Sequence, residues 1–282
     1  MNIEDIRAVE IDFVDLEEVY MPAIVYKYRT WNVGDSNSDN VLLKNQLFLA
    51  SPSSFVDESD CRIPIRYDLL TDQEILIWSE RTARRMFPKY NDDAIKREVQ
   101  HYIGRIPFRN KEKMNQYDEQ EWIDYNNNAG VLSLCIQSLN EDMWKMYGDD
   151  HKGICYGFST IELIRGCNLK GGGVVRYVNE LPIIHPFEDT ILKANKRVYY
   201  KFNSWSFEEE YRIRDFTEQN QDPRNRIKTY PDHVLKEVTL GKDFDDGQIP
   251  VIIEHLRSKE VQPTLFRCVV VDNRLTREHL NY

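Results

Sequence analysis

The amino-acid sequence predicts an α+β protein that folds as a single elaborated domain over residues 1–282. Two observations carry this prediction. Short strand-like apolar runs occur towards both ends of the chain, and a block of charged helices at residues 65–128 separates the first strands from the others. With 282 residues, of which 41% are apolar, the chain can bury a sizeable core. We expect the helical block to be an insertion or a lid.

The predicted strands are short apolar runs bounded by turn residues. They lie at residues 23–28, 47–50, 130–136, 153–158, 174–178, 209–214, 235–240 and 265–271. Three glycines at residues 171–173 lack the remainder of a dinucleotide-binding fingerprint. We therefore expect them to form a flexible hairpin entry.

Helical periodicity begins after Thr71, which forms a capping box with Glu74, since the hydroxyl and the carboxylate can each satisfy an unpaired backbone N–H. Two further helices, at 92–103 and 111–125, complete the block. A two-turn helix should start at Asn140 and end at Gly148. The remaining predicted helices are a short one capped near Ser38 and two near residues 189–200 and 250–258.

Composition argues against several classes of protein. No apolar run approaches the roughly 20 residues that cross a bilayer, and the acidic first residues are unlike a signal peptide, so we expect a cytoplasmic protein without a membrane span. The five cysteines include no C-x-x-C pair, and the histidines lack metal-ligand spacing, so neither a disulfide framework nor a metal site is expected. Cys135, Cys155 and Cys268 lie in strand-like runs and are interpreted as core residues.

Charge is distributed unevenly along the chain. The formal net charge is −10, yet residues 81–113 hold ten Lys/Arg and four Asp/Glu, a balance of +6. Such a segment can contact a nucleic acid or a protein acceptor, although a solvated helix surface is its commoner origin. The basic residues that we expect to contact the acceptor are Arg84, Arg85, Lys96, Arg97, Arg105 and Arg109.

A first cluster of candidate site residues is Tyr26-Lys27-Tyr28-Arg29. Strand alternation sends Tyr26 and Tyr28 to one face and Lys27 to the other. Rings and a cation at the end of a strand can hold a ligand. Packed tyrosines and a solvated lysine on an edge strand explain the same pattern, and on local evidence they explain it better.

A second cluster places Trp144 and Tyr147 three residues apart on one helix, with His151 in the following turn. An aromatic wall beside an imidazole suits a flat heterocycle. Aromatic core packing and a histidine that caps a turn are the ordinary alternatives.

A third cluster begins at Trp205 and contains Glu208, Glu210 and Arg212, which strand alternation places on one face. Like charges two residues apart repel. Either Arg212 neutralises the carboxylates, or one of them acts in a cleft. A salt-bridged strand edge that faces solvent is the alternative.

In order along the chain, these motifs resemble the bacterial family catalogued as domain of unknown function 2971. The matching residues are Tyr26-Lys27-Tyr28, Leu47-Phe48, Ser51-Pro52 with Phe55, Trp144…Tyr147…His151-Lys152-Gly153, and Trp205…Glu208-Glu209-Glu210-Tyr211-Arg212. Val56-Asp57-Glu58 stands where the family usually has asparagine-aspartate-proline, which leaves the role of that loop open.

The family is in turn similar to ADP-ribosyltransferases of the toxin and DNA-modifying kind. That resemblance implies a split, mixed or antiparallel β-sheet cleft and NAD as the substrate. It places Tyr26 or Lys27 at the first-strand position, Tyr147 or Trp144 at the aromatic position, and Glu210 or Glu208 at the glutamate position.

The roles that the resemblance implies follow from the chemistry. Cleavage of the nicotinamide–ribose bond leaves an oxocarbenium-like cation, which Glu210 would stabilise. Aromatic rings would stack on nicotinamide, and cations would contact the pyrophosphate. The implied catalytic residues are Glu210, Glu208, Tyr147 and His151. The implied NAD-binding residues are Tyr26, Lys27, Tyr28, Arg29, Trp144, Trp205 and Arg212.

We therefore expect an NAD-consuming, ADP-ribosyltransferase-like enzyme, which would serve as a bacterial toxin or an antiphage defence effector. One alternative is a nucleic-acid-directed enzyme that uses residues 81–113 for phosphate and Glu208 with Glu210 for a metal. The other is a non-enzymatic interaction module in which all three clusters are structural.

Overall fold

A computed structural model describes residues 20–32, 36–105 and 110–282 of the chain. The helices are α1 (Ser36–Leu43), α2 (Asp72–Met86), α3 (Asp92–Arg105), α4 (Lys111–Asn128), α5 (Glu141–Tyr147), α6 (Thr160–Gly166), α7 (Thr190–Tyr199) and α8 (Ile249–Arg257). The strands are β1 (Ile24–Arg29), β2 (Gln46–Phe48), β3 (Ala129–Cys135), β4 (Ile154–Ser159), β5 (Gly172–Val174), β6 (Arg176–Val178), β7 (Tyr200–Phe202), β8 (Glu210–Phe216), β9 (Ile227–Thr229), β10 (Leu235–Leu240), β11 (Thr264–Val271) and β12 (Arg274–His279).

The main sheet has eight strands in the order β12-β11-β10-β4-β1-β3-β8-β5. Its neighbouring strands run antiparallel, except for the parallel pair β10 and β11. Two small sheets, β2-β9 and β6-β7, flank it. The prediction of an α+β fold with a mixed, largely antiparallel sheet is thereby confirmed.

The two faces of the main sheet carry different cores. On one face, residues from α1, α6 and α8 pack with alternate residues of the strands, among them Tyr211 and Ile213 of β8. On the other face, Trp144 of α5 packs with three thiols, those of Cys135, Cys155 and Cys268. Because successive side chains of a strand point to opposite faces, Glu210 and Arg212 lie on the face opposite Tyr211.

The sheet opens between β1 and β3. β1 pairs with β4 along its whole length, and β3 pairs with β8 along its whole length, but β1 and β3 share the single pair Tyr26–Cys135. In this opening, Lys27 Nζ donates a hydrogen bond to the backbone oxygen of Ser133 at 2.7 Å. A side chain thus satisfies a carbonyl of β3 near the point where the two strands separate.

The predicted strand at 174–178 is interrupted. β5 joins the edge of the main sheet beside β8, whereas β6 pairs in parallel with β7. Gly172 and Gly173 therefore lie in an edge strand and not in a flexible hairpin entry. A Cβ at Gly172 would lie 2.7 Å from the Tyr211 ring, so only glycine fits where β5 crosses that ring.

The helical block is present as α2, α3 and α4, and the predicted capping box at Thr71 and Glu74 is formed. The start of α2 packs with Met114 of α4 in an apolar cluster separate from the sheet cores. Among the described residues, no helix combines the length and apolar character that crossing a membrane requires.

Candidate functional site

A cavity of about 780 Å³ lies at the opening between β1 and β3. Its walls come from β1, β2, β3, α5, β7, β8 and the loop at residues 54–60. This volume is within the range of about 300–1,000 Å³ that small-molecule sites occupy. The described residues of α2, α3 and α4 do not line it.

Arg212 is a buried, fully hydrogen-bonded cation in the cavity wall, with 1% of its surface exposed. Its two terminal nitrogens donate to the two oxygens of Asp60 at 2.7 and 2.6 Å, and its Nε and Nη2 donate to Glu210, each at 2.8 Å. Nη1 also donates to the backbone oxygen of Val198 at 2.9 Å. These bonds use all five guanidinium N–H groups, so Arg212 has no donor left for a ligand.

Lys201 joins the same network from β7. Its ammonium donates to Glu208 and Glu210, and it lies 3.2 Å from a carboxylate oxygen of Asp60. Burial lowers the pKa of Lys201, but the negative charges of Glu210 and Asp60 outweigh that effect and the pKa is raised overall. The ammonium also lies 4.7 Å from the centre of the Trp205 ring, a cation–π contact.

Glu208 and Glu210 are brought together by a turn at Glu209. Glu208 ends a short 3-10 helix, Asn203–Glu208, and Glu209 adopts a left-handed backbone with φ of 43°. Strand alternation was predicted to place Glu208, Glu210 and Arg212 on one face. Because the strand begins only at Glu210, the alternation applies to Glu210 and Arg212 but not to Glu208. The turn places the two carboxyl groups side by side nonetheless.

The two carboxyl groups have opposite tendencies to hold a proton. Burial, and then the hydrogen bond and charge of Glu210, raise the pKa of Glu208 to about 7. Burial also acts on Glu210, but the charge and hydrogen bonds of Arg212 outweigh it and hold the pKa of Glu210 well below its usual range. Tyr147 donates from its hydroxyl to Glu208 Oε1 at 2.6 Å. The pair can therefore exchange one proton near neutral pH through Glu208.

The β1 side of the cavity is built differently. Lys27 lines the cavity, and burial, followed by the charge of Arg29, lowers its pKa to about 7, although Glu210 and Glu208 partly oppose this. Tyr26 and Tyr28 also line the cavity, and they share the strand face opposite Lys27, as alternation predicted: both belong to the apolar cluster around Trp144. Burial and the nearby Glu237 raise the pKa of Tyr26 to about 12.

Two predicted site residues, Trp144 and His151, do not line the cavity. Trp144 is fully buried, donates from Nε1 to the backbone oxygen of Ser138 at 3.0 Å, and packs edge-on against Tyr28. His151 stacks on Trp144 with ring centres 6.0 Å apart, and its Nε2 is 3.3 Å from Glu141. Of the second cluster, only Tyr147 reaches the cavity.

Sequence reasoning missed Asp60 and Lys201. Asp60 lies 152 positions from Arg212, and no local pattern joins them. The available signal was indirect: an arginine predicted on a buried strand face requires carboxylates beyond its own strand, because an unpaired buried charge is costly. Phe55 of the loop also lines the cavity, with Arg212 5.5 Å from its ring centre.

The basic segment lies away from the cavity. Arg84 pairs with Glu80 and Asp92, whereas Arg85, Lys96 and Arg97 are exposed. The side chain of Arg105 and the whole of Arg109 lie outside the described residues. Within the described part of the chain, no three His, Cys, Asp or Glu side chains are arranged to hold a metal ion.

Comparison with known proteins gives one match. The family described as protein of unknown function (DUF2971) matches residues 143–213, a segment that contains Tyr147, Lys201, Glu208, Glu210 and Arg212. No curated protein and no solved structure showed a significant match. The family resemblance drawn from the sequence motifs is confirmed, and most of the ion network lies in the matching segment. The segment from Met143 to Ile213 thus has the sequence pattern of the DUF2971 family.

Proposed function

We propose that this chain is an NAD-consuming enzyme of the ADP-ribosyltransferase type, with the cavity between β1 and β8 as its active site. The observation that carries the proposal is the pair Glu208 and Glu210, two contacting carboxyl groups with opposite protonation at the wall of a ligand-sized cavity. Neighbouring groups whose pKa values are driven apart are a recurrent feature of acid–base sites.

The balance of charges in the ion network indicates which carboxylate acts in catalysis. The carboxylates of Asp60, Glu208 and Glu210 face the two cations Arg212 and Lys201, so one carboxylate is unmatched. Glu210 is held by both cations, and the raised pKa identifies Glu208 as the unmatched group. A ribosyl cation that develops in the cavity gives Glu208 its missing counter-charge.

Cleavage of the nicotinamide–ribose bond then needs one proton acceptor. Nicotinamide leaves as a neutral ring, the acceptor hydroxyl or water attacks ribose C1′, and its proton passes to ionised Glu208. The sequence favoured Glu210 for this work. The geometry favours Glu208, with Glu210 as the residue that fixes Arg212 and Lys201.

The rest of the cavity suits a dinucleotide. Tyr147, Trp205 and Phe55 supply aromatic surface for nicotinamide. Arg212 was expected to contact the pyrophosphate, but its donors bond to Asp60, Glu210 and Val198 within the protein. We assign the pyrophosphate to the β1 side, where the cation Arg29 lines the cavity.

The test is nicotinamide release from NAD by the wild type, with cell lysate as a source of acceptors. Glu208→Gln should lower the rate by about 10²–10⁴-fold, the usual contribution of a general base. Glu209→Gln, which changes the adjacent carboxylate outside the cavity lining, is the matched control and should retain full activity. Circular dichroism and thermal unfolding establish that each variant is folded.

A wild type that neither releases nicotinamide nor binds NAD by calorimetry would refute the proposal. Loss of release in both variants would assign the effect to general disruption of the turn at Glu209.

We place the acceptor, a nucleic acid or a protein, on the surface of α2 and α3, where Arg85, Lys96 and Arg97 are exposed. A bacterial toxin or antiphage effector is the setting we propose for such an enzyme. Reversing these three charges to Glu should weaken acceptor modification and its salt dependence while nicotinamide release to water is retained. Unchanged modification would place the acceptor elsewhere.

The metal-dependent nuclease alternative gains no support from the geometry. Lys201 and Arg212 already occupy the carboxylate oxygens of Glu208 and Glu210 that would have to bind the metal.

A further inference from the structure

Lys27 has an unusual environment for a lysine inside a protein. Its side chain enters the opening between β1 and β3, lines the cavity, and donates one hydrogen bond to the backbone oxygen of Ser133 at 2.7 Å. Within the described part of the chain it forms no ion pair, whereas Lys201 in the same cavity contacts three carboxylates. The residue is half-buried, and an amine bonded only to a carbonyl keeps a lone pair available when it is neutral.

The charges around Lys27 favour the neutral amine. Burial is the largest effect, and the cations Arg29 and Arg212 act in the same direction. The carboxylates of Glu208 and Glu210 oppose it, but both are engaged by Lys201. Desolvation beside another cation is a known means of making a lysine nucleophilic at neutral pH.

We propose that Lys27 is a nucleophilic amine that condenses with the carbonyl carbon of a small anionic aldehyde bound in this cavity and forms an imine. The anionic group is assigned because Arg29 lies two residues along the same face of β1 and lines the same cavity. This reaction uses no NAD, although it takes place in the same cavity.

The condensation balances without an oxidant or a reductant. Lys27 Nζ attacks the carbonyl carbon, the C–N bond forms, and the carbonyl oxygen gains a proton to give a carbinolamine. That oxygen then leaves as water with both protons of the original amine, and a C=N bond remains. Glu208, which lines the same cavity and exchanges a proton near neutral pH, can protonate the departing oxygen and recover the proton from the iminium.

The experiment uses glyoxylate as the probe, an aldehyde that carries a carboxylate, with cyanoborohydride to reduce the imine to carboxymethyl-lysine. The full chain is labelled at pH 7, and peptide mass spectrometry measures the rate at each lysine. About half of an amine with a pKa near 7 is neutral at this pH, against less than about 0.1% of an ordinary lysine. After allowance for the lower basicity of Lys27 and restricted access, we expect it to label at least about 10-fold faster than exposed Lys145.

Three comparisons test whether the labelling is specific to Lys27. Lys201, buried in the same cavity but held by carboxylates, should remain unlabelled. Lys27→Arg retains a donor for Ser133 and removes only the reactive amine, so its remaining lysines should label as in the wild type. Excess acetate, which matches the carboxylate but lacks the aldehyde, should slow labelling of Lys27 and leave Lys145 unchanged.

Labelling of Lys27 at or below the rate of Lys145 would overturn the proposal. So would fast labelling that acetate does not slow, because the assigned anion contact at Arg29 would then be wrong. The wild-type measurements suffice if Lys27→Arg fails to fold. NAD takes no part in the assay, so its outcome is separable from that of the nicotinamide-release test.

Discussion

The two sides of the cavity contain the same residue type in opposite electrostatic states. On the β8 side, Lys201 lies among three carboxylates and its pKa is raised; on the β1 side, Lys27 donates to a backbone carbonyl and its pKa is lowered to about 7. Burial penalises the charged form of both lysines. Since burial acts against both charges, the contacting carboxylates decide which lysine stays charged.

The largest expected effect comes from breaking the β8 side at its centre. Arg212→Met leaves Asp60 and Glu210 without their shared guanidinium, so we expect a loss of about 3–5 kcal/mol in the free energy of unfolding, measured by urea denaturation at pH 7. Arg224→Met, at a side chain 89% exposed and paired with Asp222, should change it by less than about 0.5 kcal/mol. If the two substitutions lower the free energy of unfolding equally, the buried ion pairs of Arg212 stabilise the fold no more than the exposed pair of Arg224 does.

Replacing each lysine in turn tests the comparison directly. Lys201→Met should cost about 2–4 kcal/mol at pH 7, because three buried carboxylates lose a counter-charge. Lys27→Met should change stability by less than about 1.5 kcal/mol, since it removes one hydrogen bond together with a poorly solvated amine.

The pH dependence of Lys27→Met has a definite sign. The folded pKa lies below the ordinary lysine value, so between about pH 7 and pH 10 the unfolded chain binds more protons and wild-type stability rises with pH. Lys27→Met lacks this rise. Urea denaturation should therefore show that the free energy of unfolding of the variant, relative to that of the wild type, is higher at pH 6 than at pH 9. The reverse order would contradict the assigned pKa.

Glu208 provides a pH test on the β8 side. Its folded pKa, about 7, lies above the ordinary glutamate value, so its contribution to stability is present below the ordinary value and is lost as the pH rises through 7. Glu208→Gln mimics the protonated side chain. Relative to the wild type it should gain about 1–2 kcal/mol between pH 5 and pH 8, measured by urea denaturation. Glu209→Gln is the matched control. If the difference in the free energy of unfolding between Glu208→Gln and the wild type does not change with pH, Glu208 stays ionised.

The smallest expected effect concerns the hydroxyl of Tyr147. Tyr147→Phe removes the 2.6 Å hydrogen bond to Glu208 and should lower the free energy of unfolding by about 1 kcal/mol. Tyr90→Phe, at an exposed ring stacked on Phe87, is the control and should be nearly neutral. If the two substitutions prove equivalent in urea denaturation, the bond to Glu208 adds nothing to stability.

Much of the secondary structure was predictable because its signals are local. The capping box at Thr71, the Asn140 cap and the strand at Leu235–Leu240 occur as predicted. Prediction failed where tertiary contacts decide the backbone. Gly172 and Gly173 lie in a strand because β5 pairs with β8, and the Tyr211 ring leaves no room for a side chain at Gly172; both contacts join segments distant in sequence.

The sequence by itself determined the class of fold, the resemblance to the DUF2971 family and the strand face that Glu210 shares with Arg212, since these depend on periodicity and ordered motifs. Only the tertiary structure decided which residues meet. It brought Asp60 and Lys201 to Arg212, withdrew Trp144 and His151 from the cavity, and left Lys27 without a carboxylate partner in the described part of the chain. The physical reason is that a pKa and an ion pair depend on distances across the fold, which spacing along one chain segment does not specify.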